Sequence, residues 1–194
     1  MNRRTPPIRW AAIFMLTMTF FLTTMELVRY ASFRARFPLG MQIAGVPVGG
    51  LTYEEAADRL VQVYHAPIEL LYEDARIQVR PATLGFELKL ENMLAAADKQ
   101  RVAQSFWAGF WNYLWNKPMS SLDIPLQAEF DEQRMQHFLE NEIAIRYNRP
   151  ALPPMPLAGE SAFYPGQPGT EINYEVSIQR IKQALVSSEN RVVR

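Results

Sequence analysis

Sixteen consecutive residues without a charge, Trp10 to Met25, constrain this chain more than any other feature. They follow Arg3, Arg4 and Arg9 and precede a body of mixed polar and apolar residues from Phe37 to Arg194. A basic tip, an apolar run and a polar body form the pattern of a protein sent to or through a membrane. Leu27 and Val28 extend the run to nineteen residues if Glu26 lies at headgroup level, which is close to the ~20 residues of a spanning helix. A cleaved signal peptide fits less well. Ala31 could precede the cut, but Arg29 would then fill a position that wants a small side chain. No Cys is present to carry a lipoprotein anchor.

The expectation is a cytoplasmic tip over 1–9, an uncleaved transmembrane signal-anchor helix over 10–28 and a juxtamembrane linker over 29–40. A cleaved signal and a buried core helix are the alternatives. Arg29, Arg34 and Arg36 follow the run, so charge bias alone does not orient it. The very short tip, and the habit of a first apolar segment to act as an export signal, place the body outside. The chain is therefore expected in the cell membrane, single-pass, with its body extracytoplasmic.

Charge narrows the partners. Six of the 20 Lys and Arg precede Phe37, against one of the 20 acids, which leaves the body with 14 basic and 19 acidic residues, a net of −5. A mildly acidic body without a basic stripe argues against nucleic acid. The absence of Cys excludes a disulfide framework, a thiolate metal site and a Cys nucleophile.

Along the body, Ile43, Val46 and Val48 read as a short strand punctuated by Gly45 and Pro47, with a turn at Gly49-Gly50. Thr52 and Glu55 have capping-box spacing, and a helix over 53–64 should turn Ala56, Ala57, Leu60, Val61 and Tyr64 to one face before Pro67 stops it. Ile68–Tyr72 and Ile77–Val79 suggest a hairpin around Glu73-Asp74-Ala75. Phe86, Leu88 and Leu90 alternate as a half-buried strand, ahead of a helix over 91–99. A second alternating stretch runs from Leu122 to Phe130. Asp131 should cap a helix to Ile145 with Met135, Phe138, Leu139 and Ile143 inward. Arg149–Gly159 holds four Pro and reads as an extended connector. Phe163-Tyr164, a Pro165–Gly169 turn, a strand at Glu171-Ile172 and an Asn173-capped helix to Val186 follow. Val192-Val193 looks like the start of a strand. Gly85–Glu91 and Gly169–Glu175 share G-x-E-[L/I]-x-x-E before a helix. These elements read as an α+β fold of short antiparallel sheets with helices packed on one side, and the faint echo suggests two linked lobes.

Catalytic signatures are missing from the sequence. There is no S-x-x-K, H-E-x-x-H, P-loop or G-x-G-x-x-G, so neither cofactor nor metal is expected. Gly159-Glu160-Ser161-Ala162 fails the nucleophile-elbow pattern at Phe163, and Ser188-Glu189-Asn190 lacks the Ser-x-x-Lys that would give it meaning. His65 and His137 stand alone. The acid pairs Glu54-Glu55 and Asp131-Glu132 open helices, where carboxylates favour the dipole.

The segment SFWAGFWNYLWN, Ser105–Asn116, is the most unusual part of the body. Trp107, Phe110, Trp111, Leu114 and Trp115 fall on one helical face. Such a face is first of all a core candidate. Two functional readings stand beside it: aromatic anchoring at a membrane interface, or a platform for sugar rings. On the second reading Trp107, Trp111, Tyr113 and Trp115 are the candidate glycan contacts, with Asn112 and Asn116 as polar neighbours.

The run Ile43–Ala56, IAGVPVGGLTYEEA, resembles the opening of the YoaR-like peptidoglycan-binding domain family, V-x-V-G-G-L-T-x-E-E-A after a single N-terminal membrane segment. Pro165-Gly166-Gln167-Pro168-Gly169, followed by Glu171-Ile172 and a helix, is similar to that family's closing P-G-x-x-G element. The resemblance covers most of Met41–Val186. It implies a module over 41–189 with peptidoglycan as partner, and 190–194 as the start of a further segment. It supplies no ligand-contact residues. Such modules stand ahead of VanW-like, L,D-transpeptidase or class A β-lactamase-like serine hydrolase domains, and the aromatic insert looks most like the last arrangement. The resemblance thus implies a non-catalytic, membrane-anchored module that binds or positions the protein at peptidoglycan, within a cell-wall-active serine hydrolase. The alternative is a structural spacer or pro-domain that regulates a downstream hydrolase and binds no glycan. A carboxylate-driven hydrolase is the third expectation, and would need two acids whose environments push their pKa values apart.

Overall fold

The structure, a computed structural model, describes residues 7–73, 75–103, 105–115, 117, 122–156 and 163–194. Helix α1 spans Pro7–Arg34. Its stretch Arg9–Arg34 is long and apolar enough to cross a membrane, and none of its most apolar window is buried. The four Thr of the apolar run would be costly in hydrocarbon if left unsatisfied. Each hydroxyl instead donates inside the helix: Thr17 to the Ile13 and Phe14 carbonyls, Thr19 to Met15, Thr23 to Thr19 and Thr24 to Phe20, at 2.8–3.1 Å.

α1 does not end with its apolar run. It continues to Arg34, and the chain then folds directly into the body. The Phe37 N–H donates to the Leu51 carbonyl and the Gly50 N–H to the Phe37 carbonyl, both at 2.8 Å. The Arg36 guanidinium reaches the Gly50 carbonyl at 2.9 Å. Tyr30, Phe37 and Met41 are buried. Residues 29–40 are thus a fastened joint, with no slack between helix and body.

Strands β1 (Gln42–Ile43) and β2 (Val46–Pro47) pair antiparallel, Ile43 opposite Val46. The single strand expected over 43–48 is therefore a hairpin. Ala44 and Gly45 both hold positive φ, 53° and 73°, the mirror-type turn whose twist suits a two-residue hairpin. Helix α2 (Tyr53–Tyr64) follows, with the Thr52/Glu55 capping box complete: the Glu55 N–H donates to the Thr52 hydroxyl at 3.2 Å and the Thr52 N–H to the Glu55 carboxylate at 2.8 Å. Ala56, Leu60 and Tyr64 are its buried stripe. β3 (Ile68–Tyr72) and β4 (Ala75–Val79) form the expected hairpin, with Glu73 at φ 51° in its loop; Asp74 lies outside the described residues.

A 3-10 turn at Pro81–Leu84 leads to β5 (Phe86–Leu88), α3 (Leu90–Val102) and α4 (Phe106–Leu114). The alternating stretch 122–130 divides into β6 (Asp123–Ile124) and β7 (Ala128–Phe130) around Pro125, which has no N–H for a ladder. Its halves join different sheets, β6 beside β1 and β7 beside β5. α5 (Glu132–Phe138), capped by Asp131, runs through a π-helical segment (Leu139–Ala144) into α6 (Ile145–Tyr147). The wider π turn keeps Met135, Leu139 and Ile143, each four residues apart, pointing inward together.

The Pro-rich connector is more than a connector. β8 (Met155–Pro156) pairs antiparallel with β9 (Phe163–Tyr164), and isolated bridges tie Arg149 to Thr170 and Leu152 to Gln167. No strand forms at 171–172. Ile172 enters the core instead, its N–H donating to the Asn148 side chain at 3.3 Å. α7 (Tyr174–Val186), capped by Asn173, and β10 (Val192–Val193) complete the chain.

The α+β class stands, with two corrections. The sheets are not all antiparallel: β1 pairs parallel with β6 and β3 parallel with β10. These partners are far apart in sequence, and parallel pairing requires such crossovers. Nor do two lobes have separate cores. Residues from Phe37 to Val193, in β1–β6, α2, α3, α5, α7 and β10, form one contiguous apolar cluster. The echo that suggested lobes does not mark two equivalent units: a strand forms at Phe86–Leu88 but none at 171–172. A Cβ would clash at both glycines, 2.5 Å from the Asp131 Cβ at Gly85 and 2.6 Å from the Ala151 nitrogen at Gly169, but only Gly85 also holds a positive φ, 71°.

Candidate functional site

The aromatic segment becomes α4, and its expected core face is overturned. Phe110 is 5% exposed, but Trp107, Trp111 and Trp115 are 63%, 57% and 72% exposed, and Leu114 is exposed beside them. The inward stripe is instead Phe106, Phe110 and Tyr113, at i, i+4 and i+7, with Phe110 buried and the other two half-buried, roughly one residue's rotation (~100°) away. This stripe closes on the end of α1. The Tyr30 ring, itself 5% exposed, lies 5.2, 5.5 and 5.4 Å from the Phe106, Phe110 and Tyr113 rings. Phe33 stacks obliquely on Tyr113 at 5.4 Å, and the Arg34 guanidinium sits 5.4 Å from the Phe106 ring centre. Offset and edge-on aromatic pairs of this kind add about 0.5–1.5 kcal/mol each beyond area burial.

These contacts also fix how the helices meet. Phe33 and Arg34 are adjacent and stand ~1.5 Å apart along α1. The residues they reach, Tyr113 and Phe106, are seven apart and ~10 Å distant along α4. α4 therefore crosses α1 rather than running beside it. The crossing lies at Tyr30–Arg34, two to six residues beyond Val28, or ~3–9 Å past the apolar run. α3 reaches the same joint: the Arg101 guanidinium donates to the Arg34 carbonyl and pairs with Asp98 at 2.6 Å.

Of the four candidate glycan contacts, the structure brings Trp107, Trp111 and Trp115 onto one exposed stripe with Leu114. It turns Tyr113 away, into the joint with Tyr30 and Phe33. α4 carries no charged residue. Asn112 is half-buried, and Asn116 lies outside the described residues. Sequence reasoning could find the aromatic period but not Tyr30 and Phe33, which supply the other half of the packing from more than seventy residues away.

The titratable groups singled out from the sequence are dispersed. His65 is exposed at the C-terminus of α2, and His137 is exposed on α5. Glu55 is held below the usual carboxylate range, chiefly by the Thr52 backbone N–H. Glu132 pairs with Lys182. Ser188-Glu189-Asn190 forms the turn after α7, with the Glu189 and Asn190 N–H groups donating to the Ser187 hydroxyl. Gly159–Ala162 lies outside the described residues. A shallow cavity of about 270 Å³ opens between β4 and the π segment, lined by Arg80, Thr83, Glu142, Arg146 and Tyr147 among others. Its acid is already paired, Glu142 with Arg146 at 2.7 Å. Among the described residues, no group of three or more His, Asp or Glu is placed to hold a metal ion.

The tightest polar arrangement serves the fold. The half-buried Arg191 guanidinium donates to the Tyr64 carbonyl at 3.2 Å and to the Ser187 carbonyl at 3.5 Å, so one cation meets the C-terminal ends of both α2 and α7. Burial lowers the Arg191 pKa and raises that of Tyr64, whose hydroxyl donates to the Ala44 carbonyl at 2.6 Å.

No family model, curated protein or solved structure matches the chain.

Proposed function

We propose that this chain is a membrane-anchored, extracytoplasmic, non-catalytic module that positions its body at peptidoglycan. One observation carries the anchoring half: a long apolar helix with no protein cover over its apolar run passes without slack into a packed body. Left in water, that run would expose Trp10, Phe14, Phe20, Phe21 and their neighbours. Lipid is the solvent that removes this cost. A helix fastened through Tyr30, Phe37 and Met41 would hold the body at a fixed height above the outer membrane face, where the wall polymer is the nearest partner. The resemblance of Ile43–Ala56 and of Pro165–Gly169 to the YoaR-like modules supports that partner. By the same resemblance, the module would serve a serine hydrolase domain.

Co-sedimentation of the full chain, held in lipid nanodiscs, with insoluble peptidoglycan sacculi tests this reading. Saturable binding that free glycan fragments compete away is expected. A folded chain that remains in the supernatant at every sacculus concentration would replace wall contact with a spacer or pro-domain role.

A further inference from the structure

We propose that α4 is a second membrane contact, lying in the outer headgroup layer with Trp107, Trp111, Leu114 and Trp115 against lipid. The inference rests on α1 spanning the bilayer, as proposed above, and concerns what covers the exposed stripe. Continuity with that span is the first argument. α4 crosses α1 ~3–9 Å beyond Val28, so an α1 that spans the bilayer sets α4 at headgroup depth and roughly along the membrane plane, the posture of interfacial helices. The second argument is chemistry. The stripe is three Trp and one Leu on a helix without a charge, and Trp is the residue whose apolar body and N–H donor suit the boundary between chain and headgroup.

A sugar platform needs polar side chains beside the rings to meet hydroxyls. Here Asn112 is half-buried and Tyr113 is consumed by Tyr30 and Phe33. A stripe this apolar is also costly to leave in water. Two crossed helices bound to one membrane fix orientation in a way that one helix cannot, because a single span leaves rotation about its axis free. The Tyr30 cluster would then transmit the hold of α4 to the body.

Tryptophan fluorescence tests the proposal in the full chain reconstituted into phosphatidylcholine bilayers. The Trp10→Phe chain keeps only the α4 indoles, and a Trp107→Phe/Trp111→Phe/Trp115→Phe chain keeps only Trp10. Lipids brominated high on the acyl chain should quench the α4 indoles about as strongly as Trp10, and severalfold more than lipids brominated near the chain end, the depth expected of interfacial aromatics. Soluble acrylamide should quench α4 poorly. Trp10 quenched by lipid while α4 is quenched only by acrylamide would overturn the proposal and leave the anchor intact. Shielding of α4 from acrylamide by added sacculi, without lipid quenching, would overturn it in favour of a glycan platform. Trp10 escaping lipid quenching as well would overturn the anchor and this inference together.

Discussion

α2 and α4 carry the same kind of pattern and put it to opposite use. In α2 the residues at helical spacing, Ala56, Leu60 and Tyr64, are all buried, and the opposite face is charged. In α4 the larger apolar stripe faces out and a second stripe faces in. Helical periodicity reports which residues share a face. It does not report what lies opposite that face. α2 lies with one face on the core and a charged face to solvent, so its apolar stripe has one place to go. α4 sits at the rim of the body against α1, so one of its apolar stripes packs on Tyr30 and Phe33 and the other stays exposed, where the proposed membrane contact would cover it.

Substitutions should separate the two helices, and the largest effect is expected inside the body. Leu60→Ala leaves a cavity where Leu60 is fully buried, and should cost about 2–5 kcal/mol in denaturant unfolding. Trp111→Ala should move that midpoint by less than ~0.5 kcal/mol, as for other exposed sites; an equal loss would show that α4 is core after all. At the joint, Tyr30→Ala removes three ring contacts, each worth about 0.5–1.5 kcal/mol beyond area. Amide exchange should then rise across 106–114 and stay unchanged across α2. Loss of protection in both helices would mean that the joint and the core unfold as one unit.

Arg191→Met should cost about 1–3 kcal/mol, because the part-buried Tyr64 and Ser187 carbonyls lose a donor, and its exchange signature should fall on the ends of α2 and α7. At the α2 cap, Thr52→Ala should cost ~1 kcal/mol. A Glu55→Gln chain should blunt an acid response. Glu55 has a folded pKa below its unfolded one, so its contribution is present above the unfolded carboxylate range and fades as pH falls through the folded value. A wild-type chain and a Glu55→Gln chain that lose stability in parallel through that acid window would remove Glu55 from the account.

Much of the body was legible because its signals are local. The Thr52/Glu55 box, the Asp131 and Asn173 caps and the 68–79 hairpin each depend on residues within a few positions of one another. The misreadings concern distant partners. Pairing of β1 with β6 and of β3 with β10 is set by crossovers of about eighty and more than a hundred residues, and no local pattern records them. The split of 122–130 had a visible cue in Pro125, which a reading by alternation alone passed over. The ladder between 149–156 and 163–170 was hidden because Pro-rich extended chain looks the same paired or unpaired. At the candidate site the Trp period was legible, but its direction depended on Tyr30 and Phe33.

The central claim is that α1 spans a membrane and carries the body outside it, and the chain's lack of Cys makes that claim directly measurable. Single-cysteine chains, Leu16→Cys, Phe20→Cys and Thr24→Cys in the apolar run and Arg36→Cys and Asp58→Cys beyond it, would be exposed in whole cells to a membrane-impermeant thiol reagent. The account predicts labelling at 36 and 58 without permeabilisation and protection at 16, 20 and 24 throughout. Labelling of the run as readily as the body, or of the body only after the membrane is opened, would contradict it.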